Sequence, residues 1–305
     1  LLFIIFVIGL VIAIPVSITL GITSVLPSVF DPSFTVGAKY LIRAMFGGLD
    51  SFPLLAVPMF VLSGIIMAKG GISRKLFDIF AYFLGNLTAG MPCAVIVTCL
   101  FYGAISGSAP ATVAAVGSMT IPILTSLGYD LTFSTAIVAV AGGLGVIIPP
   151  SIPFIMYGMA SGASVSDLFL AGIIPGLMIG GLLMFYAIFY CKRNGEDKAK
   201  IHAEVKRLHH KYLFKVIKKI FFAILSPVII LGCIYSGIAS PTEAAVISVF
   251  YALFISLFVY KSICIKDIWS ILQEAVKTFS PILFILAAST AFSRVLTLMQ
   301  VPQTV

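Results

Sequence analysis

Long apolar runs separated by short charged segments fill this sequence, and they leave few folds open to it. Sixty per cent of the 305 residues are hydrophobic, 10% are charged, and the mean hydropathy is +1.16. Soluble domains are nearer half apolar and a quarter charged, so a soluble core cannot hide this much apolar surface. Because backbone groups must be paired inside a bilayer, such runs form helices. We predict an all-α integral membrane protein, and 305 residues are enough for about eight to ten spans of ~20 residues.

Basic residues are concentrated in one segment of the chain. The net charge is +8, and ten of the nineteen Lys and Arg lie between Lys192 and Lys219. A nucleic-acid-binding face would need them spread over a surface, so no nucleic-acid partner is expected. Cytoplasmic loops of membrane proteins carry an excess of Lys and Arg. We interpret residues 191–219 as a basic cytoplasmic loop of a multi-pass protein.

The elements before this loop follow from the alternation of apolar and charged stretches. The first span is expected to run unbroken over about residues 1–26. The predicted elements are scaffold spans within 1–68, an interfacial amphipathic arm helix at 69–88, a re-entrant hairpin at 89–126, a broken helix at 131–162 and a span at 168–190.

After the loop, residues 220–305 are predicted to hold a linking span and the beginning of a second repeat. An amphipathic stretch at 261–277 and an apolar run from Phe279 are expected there as separate elements. Phe279-Ser280-Pro281 before that run resembles Phe52-Pro53 before an earlier span, and the two copies cross the membrane in opposite directions. Inverted repeats of this kind are an architecture of secondary transporters. Residues 1–190 would be the first repeat, and the second would be cut off before its own hairpin.

The re-entrant hairpin is predicted from a stretch without charge. No charged residue lies between Met91 and Ser126, yet the centre of this stretch, Gly103–Pro110, is rich in helix breakers. The apolar arms on either side are about 13 or 14 residues, roughly 20 Å as helix, whereas a bilayer core needs ~30 Å. Two short arms around a polar tip favour a hairpin that enters and leaves on one side. Its irregular backbone needs protein or water around it at that depth.

Two interruptions of the apolar helices are the candidate binding site. They are Ser106–Ser108 at the hairpin tip and Pro149–Ser151 in the broken helix. Half-helix N-termini attract anions, and freed carbonyls and hydroxyls suit a hard cation such as sodium. The alternative is that Gly and Ser only pack helices together while Pro kinks them. The pair of interruptions favours a site, and because neither element contains an Asp, Glu, His, Lys or Arg, sodium coupling is favoured over proton coupling.

Other residue types point away from enzymatic or metal chemistry. The five cysteines form no CxxC pair and are interpreted as small packing residues, and the three histidines lack ligand spacing, so no metal other than sodium is expected. No Walker A motif or nucleophile elbow is present, and no cofactor is predicted. Glu243 borders a span, but Ser240-Pro241-Thr242-Glu243 is the pattern of a helix capping box.

Five segments together carry a resemblance to a known family. The sequence resembles the large membrane subunit of tripartite ATP-independent periplasmic (TRAP) transporters, within the ion transporter superfamily. The segments that carry the resemblance are Leu49–Phe60, Gly103–Ser108, Ile147–Pro153, Leu170–Gly176 and Pro241–Ala245. Family members extend past the position of Val305, so the resemblance implies that a second hairpin, broken helix and sodium site are not included in this sequence.

The resemblance implies an elevator-type transporter in a bacterial inner membrane. It would import a small carboxylate with sodium, taking this organic acid from a soluble periplasmic binding protein, and a small membrane subunit would brace its scaffold. Matching this sequence to the family's motifs implies a first sodium site framed by Ser106, Gly107, Ser108, Pro149, Pro150 and Ser151. The resemblance also implies that the substrate would contact Ser106, Ser108 and Ser151. A carrier of the same superfamily that needs no binding protein is the nearest alternative, and a polytopic membrane enzyme is a further one.

Overall fold

The computed structural model describes residues 2–30, 37–212 and 215–301, and within these ranges the chain is helical and contains no strand. The α-helices are α1 (Leu2–Val11), α2 (Val16–Phe30), α3 (Ala38–Leu49), α4 (Ala56–Lys69), α5 (Ile72–Leu84), α6 (Gly90–Ser106), α7 (Ala109–Ser126), α8 (Leu131–Gly142), α9 (Ile152–Ser161), α10 (Val165–Asn194), α11 (Lys198–Tyr212), α12 (Lys215–Tyr235), α13 (Pro241–Phe254) and α14 (Asp267–Leu298). Short 3₁₀ turns at Phe52–Leu55 and Gly143–Val146 and a π-helix at Ile255–Val259 complete the described elements.

The helices confirm a multi-pass membrane protein. Within the described ranges, five helical segments are long and apolar enough to cross a bilayer, and six shorter apolar helices accompany them. The five are Phe52–Lys69, Ala109–Ser126, Val165–Asn194, Pro241–Val259 and Asp267–Leu298. Large apolar side chains on their outer surfaces, such as Ile174 and Phe185 of α10, are exposed to the surroundings, which suits a lipid environment better than water.

The prediction of one unbroken first span was wrong. The segment instead forms α1 and α2, which pack against each other, with a break at Ile12–Pro15. Pro15 has no backbone N–H to continue the helix ladder, and Ala13 adopts a positive φ of 63°. The chain therefore turns where hydropathy alone shows a continuous apolar run.

Much of the segment predicted as a basic cytoplasmic loop, residues 191–219, is helical. Helix α10 continues to Asn194, α11 occupies Lys198–Tyr212, and α12 begins at Lys215. Within α11, Ile201 and Val205 lie one turn apart and are buried, while the flanking basic residues Lys200, Lys206 and Arg207 are exposed. Because α11 packs against α5, this apolar stripe stabilises a helix in a segment that its charge marked as a loop.

Helix α14 joins two elements that were predicted separately. It runs without interruption from Asp267 to Leu298, with Pro281 in its interior. A proline removes one hydrogen bond and is tolerated inside membrane helices where the surroundings satisfy the freed carbonyl. At the start of α13 the capping box is confirmed, because Ser240 and Glu243 bond each other's backbone N–H groups.

The chain divides into two compact units. One contains the residues up to Leu54 and those from Val276 onward, and the other extends from Leu55 to Ala275. In the first unit, Phe6 and Phe292 stack with ring centroids 6.0 Å apart. In the second unit, α6 packs against α5, α7, α8 and α10, and α4 packs along α13. Both predicted interruptions lie in this second unit, around the buried helix α6.

Candidate functional site

Helices α6 and α7 form a helical hairpin over the residues predicted to be re-entrant, and the re-entrant path itself stays a prediction. They are joined by the two residues Gly107 and Ser108 and pack against each other. The helices have 17 and 18 residues, which corresponds to about 26 and 27 Å each. The arms are therefore longer than predicted, because Gly103–Ser106, read as helix breakers, remain helical in the packed interior.

The turn at the hairpin tip depends on a glycine. Gly107 has a φ of +62°, in the left-handed region, and its N–H donates to the carbonyl of Gly103 at 2.9 Å. Ser108 then adopts an extended conformation and begins α7, with Pro110 in the first turn. One helix thus ends and another begins within two residues.

The broken helix provides a second junction of the same kind. Helix α8 gives way to one 3₁₀ turn, the Pro149–Pro150 peptide bond is cis, and Ser151 begins α9. The Ser151 hydroxyl donates to the carbonyl of Val146 at 2.6 Å and accepts from the N–H of Phe154 at 3.4 Å. Ser108-Ala109-Pro110 and Ser151-Ile152-Pro153 share an extended serine at the N-cap and a proline two residues later, but only the Ser151 side chain makes a capping hydrogen bond.

The two interruptions meet through their backbones. The N–H of Ile152 donates to the carbonyl of Gly107 at 3.2 Å. A Cβ atom on Gly107 would lie 2.8 Å from the carbonyl oxygen of Pro150, so only glycine permits this approach. The structure thus brings the hairpin tip against Pro150, whereas the hydroxyls of Ser106 and Ser151 each bond within their own half of the junction.

A threonine that the sequence analysis did not single out completes the tip. The Thr112 hydroxyl lies 3.0 Å from the Ser106 hydroxyl and donates to the carbonyl of Ser108 at 2.8 Å. Ser106 and Thr112 are buried, at 1% and 0% exposure. The spacing of Thr112 could have indicated its place at the tip, because Thr112 follows Ser108 by one helical turn and therefore lies on the same face of α7.

Close packing of glycines holds the junction to its neighbours. A Cβ on Gly103 would lie 2.6 Å from the Cα of Gly145, and a Cβ on Gly145 would lie 2.5 Å from the hydroxyl oxygen of Thr112. Helix α6 and the turn after α8 therefore touch backbone to backbone, which is how small residues act between membrane helices. The packing explanation considered for the glycines thus holds for Gly103 and Gly145, and it serves the junction.

The electrostatic character of the junction comes from the backbone. Between Met91 and Ser166 the only charged residue is Asp130, which lies in the turn before α8. Two helices, α7 and α9, begin at the junction, and their N-termini favour an anion, while the carbonyls where α6 and the 3₁₀ turn end favour a cation. Among the described residues, no group of three or more His, Cys, Asp or Glu side chains is arranged to hold a metal ion.

The opposite end of the hairpin is fixed by Glu196. Its carboxylate accepts from the N–H of Ala89, at 3.0 and 3.1 Å to its two oxygens, and from the Tyr129 hydroxyl at 2.5 Å. Ala89 precedes α6 and Tyr129 follows α7, so one carboxylate binds the outer ends of both arms. Burial, followed by the hydrogen bond to Glu196, raises the pKa of Tyr129 above its ordinary value. The sequence analysis missed this contact, which joins residues far apart in the chain.

Comparison with known proteins identifies the family. Residues 3–305 match the family described as "Tripartite ATP-independent periplasmic transporter, DctM component". The chain is 40% identical to the isethionate TRAP transporter permease protein DctMQ of Oleidesulfovibrio alaskensis, over 98% of this chain and 46% of that protein. It is 38% identical to the C4-dicarboxylate TRAP transporter large permease protein DctM of Pseudomonas aeruginosa (86% and 60% covered) and 34% identical to the sialic acid protein SiaM of Vibrio cholerae (88% and 62% covered).

The chain thus spans about half to two thirds of the length of these curated relatives. The relatives are transporter permeases and not enzymes, in agreement with the prediction. The family match extends over nearly the entire chain, and the identities of 34–40% cover most of it. This chain belongs to the family of TRAP transporter large permease subunits.

Proposed function

We propose that this permease imports a small carboxylate together with sodium. The junction of the hairpin and the broken helix would hold the first sodium ion and form one wall of the substrate site. The observation that carries the proposal is the backbone contact between Gly107 and Ile152, which brings two helix ends and two helix beginnings together without a charged side chain. The proposed sodium site contains Ser106, Gly107, Ser108, Pro149, Pro150 and Ser151, and the proposed substrate contacts are Ser106, Ser108 and Ser151.

The chemistry of the junction supports both ligands. Sodium prefers oxygen ligands, and hydroxyls and released carbonyls are the polar groups present at the tip. A carboxylate would lie at the beginnings of α7 and α9, where the aligned peptide dipoles of each helix favour negative charge. The relatives are named for isethionate, C4-dicarboxylate and sialic acid, which are organic acids. Isethionate is a sulfonate and the other two are carboxylates, so the two carboxylate relatives support the small carboxylate that we assign as substrate class.

The partners and the mode of movement also belong to the proposal. We assign a periplasmic binding protein that delivers the substrate and a small membrane subunit that braces the scaffold, because the family is described as tripartite and periplasmic. Location in a bacterial inner membrane, with the basic segment around α11 in the cytoplasm, follows the distribution of Lys and Arg. In an elevator-type cycle, the hairpin and broken helix would move as one body.

The sodium gradient is sufficient for this work. One sodium ion crossing ~100 mV releases about 2.3 kcal/mol, and a tenfold concentration gradient adds about 1.4 kcal/mol. Two ions would thus supply roughly 7 kcal/mol, which corresponds to about a 10⁵-fold accumulation of solute.

Thermal unfolding in detergent tests the proposed sodium site. The intact permease is heated in sodium, potassium or choline chloride at equal ionic strength, and a ligand that binds the folded state raises the melting temperature. We expect sodium to stabilise the wild type and Ser106→Ala and Ser108→Ala to reduce that effect. Ser118→Ala is the matched control, because Ser118 is exposed on α7 and bonds only within its own helix. Equal melting temperatures of the wild type in all three salts would contradict sodium binding.

A further inference from the structure

Helix α4 touches the hairpin tip at a glycine. A Cβ atom built on Gly64 would lie 3.1 Å from the Cα and 3.2 Å from the Cβ of Ser106. The nearest atoms are main chain and the first side-chain carbon, so the contact cannot be relieved by turning a flexible side chain. Helix α4 therefore passes directly against the residue whose hydroxyl bonds Thr112 at the tip.

A tyrosine hydroxyl ties the same two helices together. Tyr102 lies on α6 one turn before Ser106, is 1% exposed, and donates its hydroxyl to the carbonyl of Gly64 at 3.2 Å. In an α-helix that carbonyl also accepts the N–H four residues further on, so Tyr102 uses its second lone pair. Gly64 thus contacts α6 twice, through its missing side chain and through its carbonyl oxygen.

We infer that Tyr102 is a positioning residue of the ion site, which sets the height of α6 against α4 and thereby the place of the Ser106 hydroxyl. The inference rests on the proposed function, because it assigns a sodium ligand to Ser106. The Tyr102 hydroxyl prevents α6 from sliding along α4. The contact at Gly64 sets the distance between the two helices. A phenylalanine keeps the ring in place but removes the bond that prevents sliding. Tyr102 itself does not touch the ion.

The first test measures the sodium concentration that gives half of the full thermal stabilisation. Tyr102→Phe should raise this midpoint about three- to tenfold, the range expected for loss of one hydrogen bond. Tyr251→Phe is the matched control, because Tyr251 also donates its hydroxyl to a helix carbonyl, that of Phe222 at 2.8 Å, between α13 and α12. If both variants lower the melting temperature while neither moves the sodium midpoint, Tyr102 is only a structural residue and the inference is wrong.

The glycine provides an independent variant. Gly64→Ala should raise the sodium midpoint more than Tyr102→Phe does, because the added methyl group presses on the backbone of Ser106. Gly180→Ala on α10 is the control, since its Cβ would meet only the end of the Leu100 side chain, at 3.0 Å, which can turn away. An unchanged midpoint in Gly64→Ala would contradict the role given to this contact.

Amide hydrogen exchange tests the positioning role of Tyr102 independently of whether the protein binds sodium. In Tyr102→Phe, we expect faster exchange across residues 103–112 and unchanged exchange in α13, with the opposite pattern in Tyr251→Phe. If exchange at the tip is faster in Tyr102→Phe but the wild type does not respond to sodium, the positioning role of Tyr102 is supported and the proposed sodium site is contradicted. Unchanged exchange at residues 103–112 would contradict the positioning role itself.

Discussion

The carbonyl of Gly107 accepts a hydrogen bond from the N–H of Ile152 at 3.2 Å, and through this bond the hairpin tip is joined to the broken helix. Gly107 ends one helix in a left-handed conformation, and Ile152 lies in the first turn of another. The bond uses only main-chain atoms. A site of this kind depends on backbone conformation and close approach more than on the chemistry of any one side chain.

Replacing Gly107 by alanine should destabilise the protein and abolish its response to sodium. The left-handed conformation costs a non-glycine residue about 1–2 kcal/mol, and overpacking against the Pro150 carbonyl adds about 1–3 kcal/mol. Melting temperatures in sodium and in choline measure both effects. Gly162→Ala is the control, because Gly162 also has a positive φ, of 76°, but no atom within 4 Å of its Cβ position. Equal losses in the two variants would show that the Pro150 contact is unimportant.

Replacing Thr112 by valine should weaken the tip while keeping its shape. The change removes the hydroxyl that bonds Ser106 and the Ser108 carbonyl, and a buried polar group left without a partner costs about 1–3 kcal/mol. We expect a lower melting temperature and a higher sodium midpoint. In the control Thr120→Val, the buried hydroxyl that is lost bonds only the Val116 carbonyl of its own helix. A sodium midpoint that moves equally in both variants would contradict a specific role for Thr112.

Replacing Glu196 by alanine should loosen the outer end of the hairpin. Hydrogen bonds to a charged group contribute about 1.5–3 kcal/mol each, and Glu196 binds Ala89 and Tyr129. We expect a lower melting temperature and faster amide exchange at the beginning of α6. Glu204→Ala is the control, because its ion pair with Arg207 joins neighbours on one helix and contributes at most about 1 kcal/mol. If Glu204→Ala lowers the melting temperature as much as Glu196→Ala does, the contact between Glu196 and the hairpin does not contribute more than a surface ion pair.

Alkaline pH should destabilise the wild type more steeply than Tyr129→Phe. The pKa of Tyr129 is raised in the folded state, so its contribution to stability is present below the ordinary tyrosine pKa of about 10 and is lost as the pH rises above it. Between pH 10 and 11 the loss is about 1 kcal/mol. Chemical denaturation at these two pH values measures it, and the difference between wild type and variant isolates Tyr129. Parallel pH profiles would show that the hydroxyl is not held in its protonated form.

Hydropathy and helix breakers predicted much of the fold because an apolar run in a bilayer must be helical, and a cluster of glycines or prolines marks where that helix is interrupted. The helix breaks before α7 and before α9 fall within the predicted interruptions Gly103–Pro110 and Pro149–Pro153, and the capping box of Ser240 and Glu243 is present as predicted. The predictions were wrong where contacts between distant parts of the chain, and not the local sequence pattern, determine the secondary structure. Pro15 divides an apolar run into two packed helices, and burial of Val205 makes a helix of a basic segment. The division into inverted repeats stays a prediction.

The contact between the two interruptions could be predicted, but the hydrogen bonds around it could not. Breakers in two consecutive elements indicated which residues would meet, and the Gly107–Ile152 contact joins those elements. Thr112 was missed because a hydroxyl inside a helix usually bonds its own backbone, and only the folded tip brings it to Ser106. Sequence spacing gives no indication of the Tyr102–Gly64 bond, which links different helices.

The Glu196 contact has a consequence for how the protein is made. Ala89 and Glu196 are 107 residues apart in the chain. At a synthesis rate of about 5–20 residues per second, the first hairpin arm emerges from the ribosome roughly 5–20 s before the carboxylate that binds its start. Both arms and α10 are therefore synthesised before the base of the hairpin can be completed. During that interval the two arms are joined only at their tip, through Gly107 and Ser108.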